Sequence, residues 1–175
     1  MFTNNLCRRA SEARQRITMS ALYLGTGERE KRLVRAIKDN LTENHSELKV
    51  NILLDFCRGT RVVSGESSCT VLGKLLADKK VTQSCSHVVR TCSESAVSTL
   101  YFQHSCRVSL YHTPLLRGAL KALVPQRYNE TLGLQHTKIF VFDDSVILSG
   151  ANLSSDYFTN RQDRCKRMNR FMKWK

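Results

Sequence analysis

The sequence has no apolar run of the roughly 20 residues that a helix needs to cross a bilayer, so membrane contact is expected to be peripheral. It is poor in negative charge. Fifteen Asp and Glu stand against 28 Lys and Arg, a formal net charge of +13. That balance points to an anionic partner, whether nucleic acid, a phosphorylated substrate or an acidic membrane surface; the plainer alternative is a surplus that only solvates the surface. There is no CxxC pair, and the seven cysteines are an odd number. A fully paired disulfide framework is thereby excluded, and a reduced, intracellular chain is the simpler reading. Cys85, His87, Cys92, His104 and Cys106 are zinc ligands by type, but their spacing matches no common zinc site, so no metal is expected. "GTGERE" lacks the third glycine of a dinucleotide fingerprint, and its glycines are read as turn residues. "YNET" at 128–131 holds an N-x-T acceptor with no other sign of secretion, and is read as a loop.

What is present suits one domain with a real core: 175 residues, 41% of them hydrophobic. The opening "MFTNNLCRRASEARQRI" sets Arg8, Arg9, Arg14 and Arg16 against Glu12 alone. It reads either as a presequence-like segment, Arg-rich and poor in acids, or as an exposed helix face leading into the first strand. Residues 17–25 read as a strand, and "GTGERE" turns into a helix with Glu28 and Glu30 where the helix dipole favours acids. Leu33, Val34, Ile37 and Leu41 fall on one face of that helix. Residues 48–57 are a second, mostly apolar strand, "RGTR" a polar turn, and "SCTVLGKLLADKK" a helix. This βαβα order predicts a parallel sheet in an α/β domain. Residues 81–103, rich in Ser and Cys, lack a sustained period and are read as an insertion or loop. "CRVSLYH" (106–112) is a strand by alternation. Thr113 and Pro114 suit the cap and first position of a further helix.

"HTKIFVFDDSVILSGANLSSDYFTNRQD" carries the chemistry. On a strand, His136 and Lys138 point the same way, with Phe140 and Phe142 behind them. Asp143 and Asp144 make a turn, "SVILSG" returns as the next strand, and Asn152 is placed to cap the helix that follows. A His, a Lys and an Asn are thus expected near one end of adjacent strands, where α/β sheets bind ligands. A neutral imidazole can attack phosphorus and form a covalent intermediate. A lysine charge and an Asn amide can stabilise the phosphoryl oxygens. A metal is not demanded, since the lysine supplies the positive charge.

"HTKIFVFD" with "GAN" resembles the HKD motif of the phospholipase D superfamily, which usually has Ser where Ala151 stands. "LYLGTG", "ILLDFCRGTR", "RVSLYHTPLLRG", "RYNETLGLQHTK" and "VILSGANLSSDYFTNRQDR" are similar to the first half of the eukaryotic phosphatidylglycerophosphate synthase family, the CDP-diacylglycerol–glycerol-3-phosphate 3-phosphatidyltransferases. The resemblance implies a phospholipase D-like α/β domain with a mixed β-sheet flanked by helices, spanning 1–164 with an insertion at 81–103, and a basic tail at 165–175. It implies catalytic roles for His136, Lys138 and Asp143, the aspartate being more structural than catalytic. It implies phosphate contact by Asn152 beside Gly150, and orientation of a histidine by Asp163. The implied reaction moves the phosphatidyl group of CDP-diacylglycerol through a histidine to glycerol 3-phosphate, without cofactor, in mitochondria and peripheral to the inner membrane. The family has two HKD motifs, whereas here no second H-x-K occurs. A homodimer is one way to complete the site. The alternatives are a homodimeric, metal-independent phosphodiesterase or nuclease of the same superfamily, and a silent half that binds anionic lipid; the extended matches favour the lipid enzyme over a nucleic-acid one.

Overall fold

Apolar side chains at every second position build the centre of the sheet. In β1 (Arg16–Ala21) the buried positions are Ile17, Met19 and Ala21; in β2 (Lys49–Asp55) they are Val50, Ile52 and Leu54, with Asp55 buried at the end. In β4 (Cys106–Tyr111) they are Cys106, Val108 and Leu110, together with Ser109. The computed structural model describes residues 2–43, 48–76, 97–102, 105–113, 133–159 and 165–169, with the backbone alone at 75–76, 97–102 and 165–169. With β3 (Val97–Phe102), β5 (Ile139–Phe142), β6 (Ser145–Ser149) and β7 (Cys165–Asn169), the strands form one sheet in the order β3-β4-β2-β1-β5-β6-β7. β1, β2 and β4 run parallel, and β3, β5, β6 and β7 each pair antiparallel with their neighbours. The sheet is therefore mixed, with helices packed on it, as the α/β reading expected.

The long helix α2 (Glu28–Glu43) buries Leu33, Val34, Ile37 and Leu41, the stripe its period predicted, and keeps Glu28 and Glu30 in its first turn. Each such aliphatic side chain contributes about 1.5–3 kcal/mol when fully buried. The first helix, α1 (Phe2–Glu12), lies against α2 and buries Leu6, Cys7 and Ala10. It is part of the core, not only an exposed basic face. The Phe2 ring meets Phe140 edge-on at 6.1 Å and Phe158 at 6.0 Å. Asn40, buried in α2, donates its amide to the Ala10 and Ala13 carbonyls at 2.6 and 2.8 Å, satisfying the end of α1.

Three boundaries differ from the sequence reading. "RGTR" begins inside a short helix, α3 (Phe56–Gly59), whose first turn is capped by the Asp55 carboxylate. β3 lies within the stretch read as an insertion at 81–103; the rest of that stretch, apart from β3, is outside the described residues. Cys165–Asn169, expected in a basic tail, forms the edge strand β7 against β6. Its pairing is set by a partner strand, which a composition rich in basic residues does not reveal. α4 (Ser68–Leu76) follows α3, and α5 (Ser155–Thr159) follows β6. The helix expected after Thr113 and the loop at 128–131 lie outside the described residues.

Candidate functional site

The C-terminal ends of β1, β2, β4 and β6 and the start of β5 share one end of the sheet. His136, Thr137 and Lys138 come just before β5 rather than inside it. The ladder still reaches Lys138, whose carbonyl accepts from Ser149 N–H at 3.2 Å. His136 is exposed to solvent, while Lys138 is 5% exposed. The strand reading placed both side chains on one face. The structure instead gives an accessible imidazole next to a buried ammonium, which is joined to the His136 carbonyl at 2.8 Å. That contact fixes the backbone of His136 and keeps a positive charge in a low-dielectric setting beside it.

Three groups that the sequence reading passed over hold this segment. Gln135 donates its backbone N–H to Asp55 Oδ2 at 3.0 Å, and its side-chain amide to Ser20 Oγ at 2.6 Å and to the Thr137 carbonyl at 3.1 Å. The segment thus crosses the end of β1 and reaches β2. Asp55 is 2% exposed, and its other oxygen accepts from Arg58 N–H at 3.0 Å. One buried carboxylate therefore ties the candidate nucleophile's strand to α3. The only local sign of this was an aspartate closing an apolar strand; its partner lies eighty residues on.

Asn152 is 5% exposed, and its Oδ1 has no hydrogen-bond partner among the described residues. It does not cap α5: that helix starts at Ser155, and Ser154 supplies the carbonyl that accepts from Tyr157 and Phe158. A buried amide oxygen without a partner costs about 1–3 kcal/mol, and this one can only be completed by a donor, a water among them. Gly150 is exposed in the turn between β6 and Asn152. Asp143 lies at the far end of β5, and its carboxylate accepts from the N–H groups of Arg14, Gln15 and Arg16 at 2.8–3.2 Å. It is a structural bracket, distant from His136 along the strand. Asp163 lies outside the described residues.

A second histidine stands at the same sheet end. His112 follows β4 with its ring 4.9 Å from that of Phe56. Its Nδ1 lies 3.1 Å from the Thr113 carbonyl, a contact that requires the proton on Nδ1. Its Nε2 is buried with no partner among the described residues. Of the zinc-type residues, Cys106 is a core side chain whose thiol is pushed up to about 12 by burial, and the other four lie outside the described residues.

A cavity of about 350 Å³ opens beside the site, beyond β1 and β2. Tyr23–Gly27, Arg58, Arg61 and Ser154–Asp156 form most of its wall. His136, Lys138 and Asn152 are not in that wall, but Ser154 is two residues past Asn152. Gly25 and Gly27 are crowded here by side-chain ends and are not set apart by backbone angle. A Cβ on either would come within 2.6–2.7 Å of the Glu30 carboxylate, which is buried and accepts from Ser155 Oγ at 2.8 and 2.9 Å.

No family model matches the chain. Its sequence is 44% identical over 164 residues to the probable CDP-diacylglycerol–glycerol-3-phosphate 3-phosphatidyltransferase of Dictyostelium discoideum, covering 93% of this chain and 24% of that protein. It is 46% identical over 157 residues to the human mitochondrial CDP-diacylglycerol–glycerol-3-phosphate 3-phosphatidyltransferase, covering 87% of this chain and 24% of that protein. The Saccharomyces cerevisiae enzyme of the same name is 47% identical over 152 residues. The chain spans about a quarter of the length of these curated relatives. Among solved structures, phosphatidylserine synthase of Haemophilus influenzae superposes with a TM-score of 0.63 at 20% identity, over 97% of this chain and 31% of that one. Nuc of Salmonella typhimurium, a phospholipase D family member, superposes at 0.55 and 11% identity, over 95% of this chain and 74% of that one. At those identities the superpositions establish the fold, and the sequence matches establish the kinship: this chain has the phospholipase D-like fold and is a homologue, over a quarter of their length, of the CDP-diacylglycerol–glycerol-3-phosphate 3-phosphatidyltransferases.

Proposed function

We propose that the chain carries one half of a phosphatidyltransferase site that moves a phosphatidyl group from CDP-diacylglycerol to glycerol 3-phosphate. The observation that carries this reading is an exposed His136 imidazole backed by the buried Lys138 ammonium, in a chain that is 44% identical over 93% of its own length to a quarter of such a transferase. A ring nitrogen of His136 attacks the phosphatidyl phosphorus, a P–N bond forms, and the P–O bond to CMP breaks. Lys138 and the Asn152 amide stabilise the phosphoryl oxygens as charge builds on them. The departing CMP takes a proton from a general acid. A hydroxyl of glycerol 3-phosphate then attacks phosphorus, gives up its proton to that same group, and releases His136. Asp163 is assigned to orient a histidine, and Gly150 lets the backbone approach the phosphate. A second histidine, brought by a second copy of the chain, serves as the acid and base. The place of action is the mitochondrion, at the surface of an anionic membrane, a reading supported by the names of the mitochondrial relatives and by the net charge of +13.

The test is CMP release from CDP-diacylglycerol with glycerol 3-phosphate by the full chain, beside His136→Ala. Removal of the nucleophile is expected to lower the rate by roughly 10³-fold or more. Equal CMP release by both proteins would end the assignment of His136. Metal-independent cleavage of DNA without CMP release would make the protein a nuclease instead.

A further inference from the structure

Val62 and Val63 are the exposed large apolar side chains among the described residues, at 64% and 56% exposure. They sit on a tip of defined shape. Val63 N–H donates to the Glu66 carbonyl at 2.8 Å, and Glu66 N–H to the Val63 carbonyl at 3.1 Å. Ser64 and Gly65 between them have φ of 52° and 83°, the left-handed pair of a type I′ turn. Glu66 then fixes the base of the turn, paired with Lys31 of α2 at 2.9 Å and with Lys74 of α4. Two aliphatic side chains are thus held out in water on a braced turn, so little conformational entropy is lost when they are covered.

The tip is also the rim of the cavity. Val63 lines it together with Arg58 and Arg61. An aliphatic tip flanked by guanidinium groups suits the interface of an acidic bilayer, where the aliphatics reach the acyl boundary and the guanidinium groups meet headgroup phosphates. The chain's net charge of +13 supplies the long-range attraction that two valines alone cannot. We propose that the Val62–Val63 turn is an interfacial anchor that seats the mouth of this cavity on an anionic phospholipid bilayer. This rests on the lipid-substrate reading above and deepens it, since a cavity pressed to the bilayer receives a headgroup without extracting the lipid.

The test is co-sedimentation of the full chain with vesicles of mixed phosphatidylcholine and phosphatidylglycerol, against phosphatidylcholine alone. The Val62→Ser/Val63→Ser variant keeps the backbone of the turn and is expected to lose about tenfold in partitioning onto the mixed vesicles. Val62→Trp in a Trp174→Phe background is expected to show a blue shift of indole fluorescence when mixed vesicles are added. Unchanged partitioning of the serine variant, or an indole that stays in water, overturns the anchor. Loss of self-association with vesicle binding intact overturns it too, and makes the tip a contact between copies. CMP release, followed separately on the unmodified chain in detergent micelles, keeps the two readings apart. Vesicle binding through the tip without turnover sinks the transferase alone; turnover with a dispensable tip sinks the anchor alone.

Discussion

Asp143 shows how a residue can fall in the spacing of a candidate motif and do structural work away from it. Its backbone has φ of 49°, a conformation that aspartate tolerates better than most residues. Burial pushes its carboxyl pKa up, but the N–H groups of Arg16, Arg14 and Gln15, with the Arg16 charge, outweigh burial and hold it below the ordinary value. A carboxyl depressed in the folded state contributes stability above its unfolded pKa of about 3.9, and loses it as pH falls through the folded value. Asp143→Asn is therefore expected to cost about 1–3 kcal/mol at neutral pH. The gap to the unmodified protein should close in strongly acidic solution, as the native carboxyl takes up its proton. Urea unfolding at both pH values checks this, and equal midpoints at neutral pH would refute it. The spacing of His136, Lys138 and Asp143 was legible in the sequence. The three amides that occupy Asp143 were not, because they lie 127–129 residues upstream and only the fold brings them near. Asn152 could be picked out in the sequence as a candidate, but not as a buried side chain. A helix cap and a ligand contact ask for the same side chain, and only the start of α5 at Ser155 separates them.

At the scale of elements, Asp55 links β2, α3 and the approach to β5. Asp55→Asn replaces one of two acceptors with a donor facing a backbone N–H, Arg58 on one side or Gln135 on the other. It is expected to cost about 1–3 kcal/mol and to lower turnover more than it raises KM, because His136 loses its footing while the cavity keeps its walls. A fall in stability with unchanged turnover per folded molecule would confine Asp55 to a structural role. The central strands and α2 could be read from the sequence because their periods of two and 3.6 are local facts. The start of β5 could not. Residues before Ile139 have strand-like composition, yet Gln135 is held by Ser20 and Asp55 from two other strands. α1 was half legible: its arginines suggested a surface, while Leu6, Cys7 and Ala10 decide its place against α2. β7 was hidden because the partner in its ladder, β6, is what makes it a strand.

For the whole molecule, the two-copy site proposed above would make activity depend on concentration. CMP release per chain is expected to fall on dilution through the range in which light scattering shows dimers giving way to monomers. A constant rate per chain over that range would remove the second copy from the mechanism. The charge of +13 adds that vesicle binding should weaken steeply as salt rises toward physiological strength, where the screening length is about 8 Å. The sheet order has a consequence for inheritance. β5 and β6 are joined by the tight turn at Asp143–Asp144, and that single hairpin carries His136 and Lys138 at one foot and Gly150 and Asn152 at the other. Nearly all the described chemistry is therefore one uninterrupted piece of chain. Such a piece is copied, moved or silenced as a unit, so a two-motif protein can arise by repeating the segment once, and a one-motif protein by meeting its own likeness.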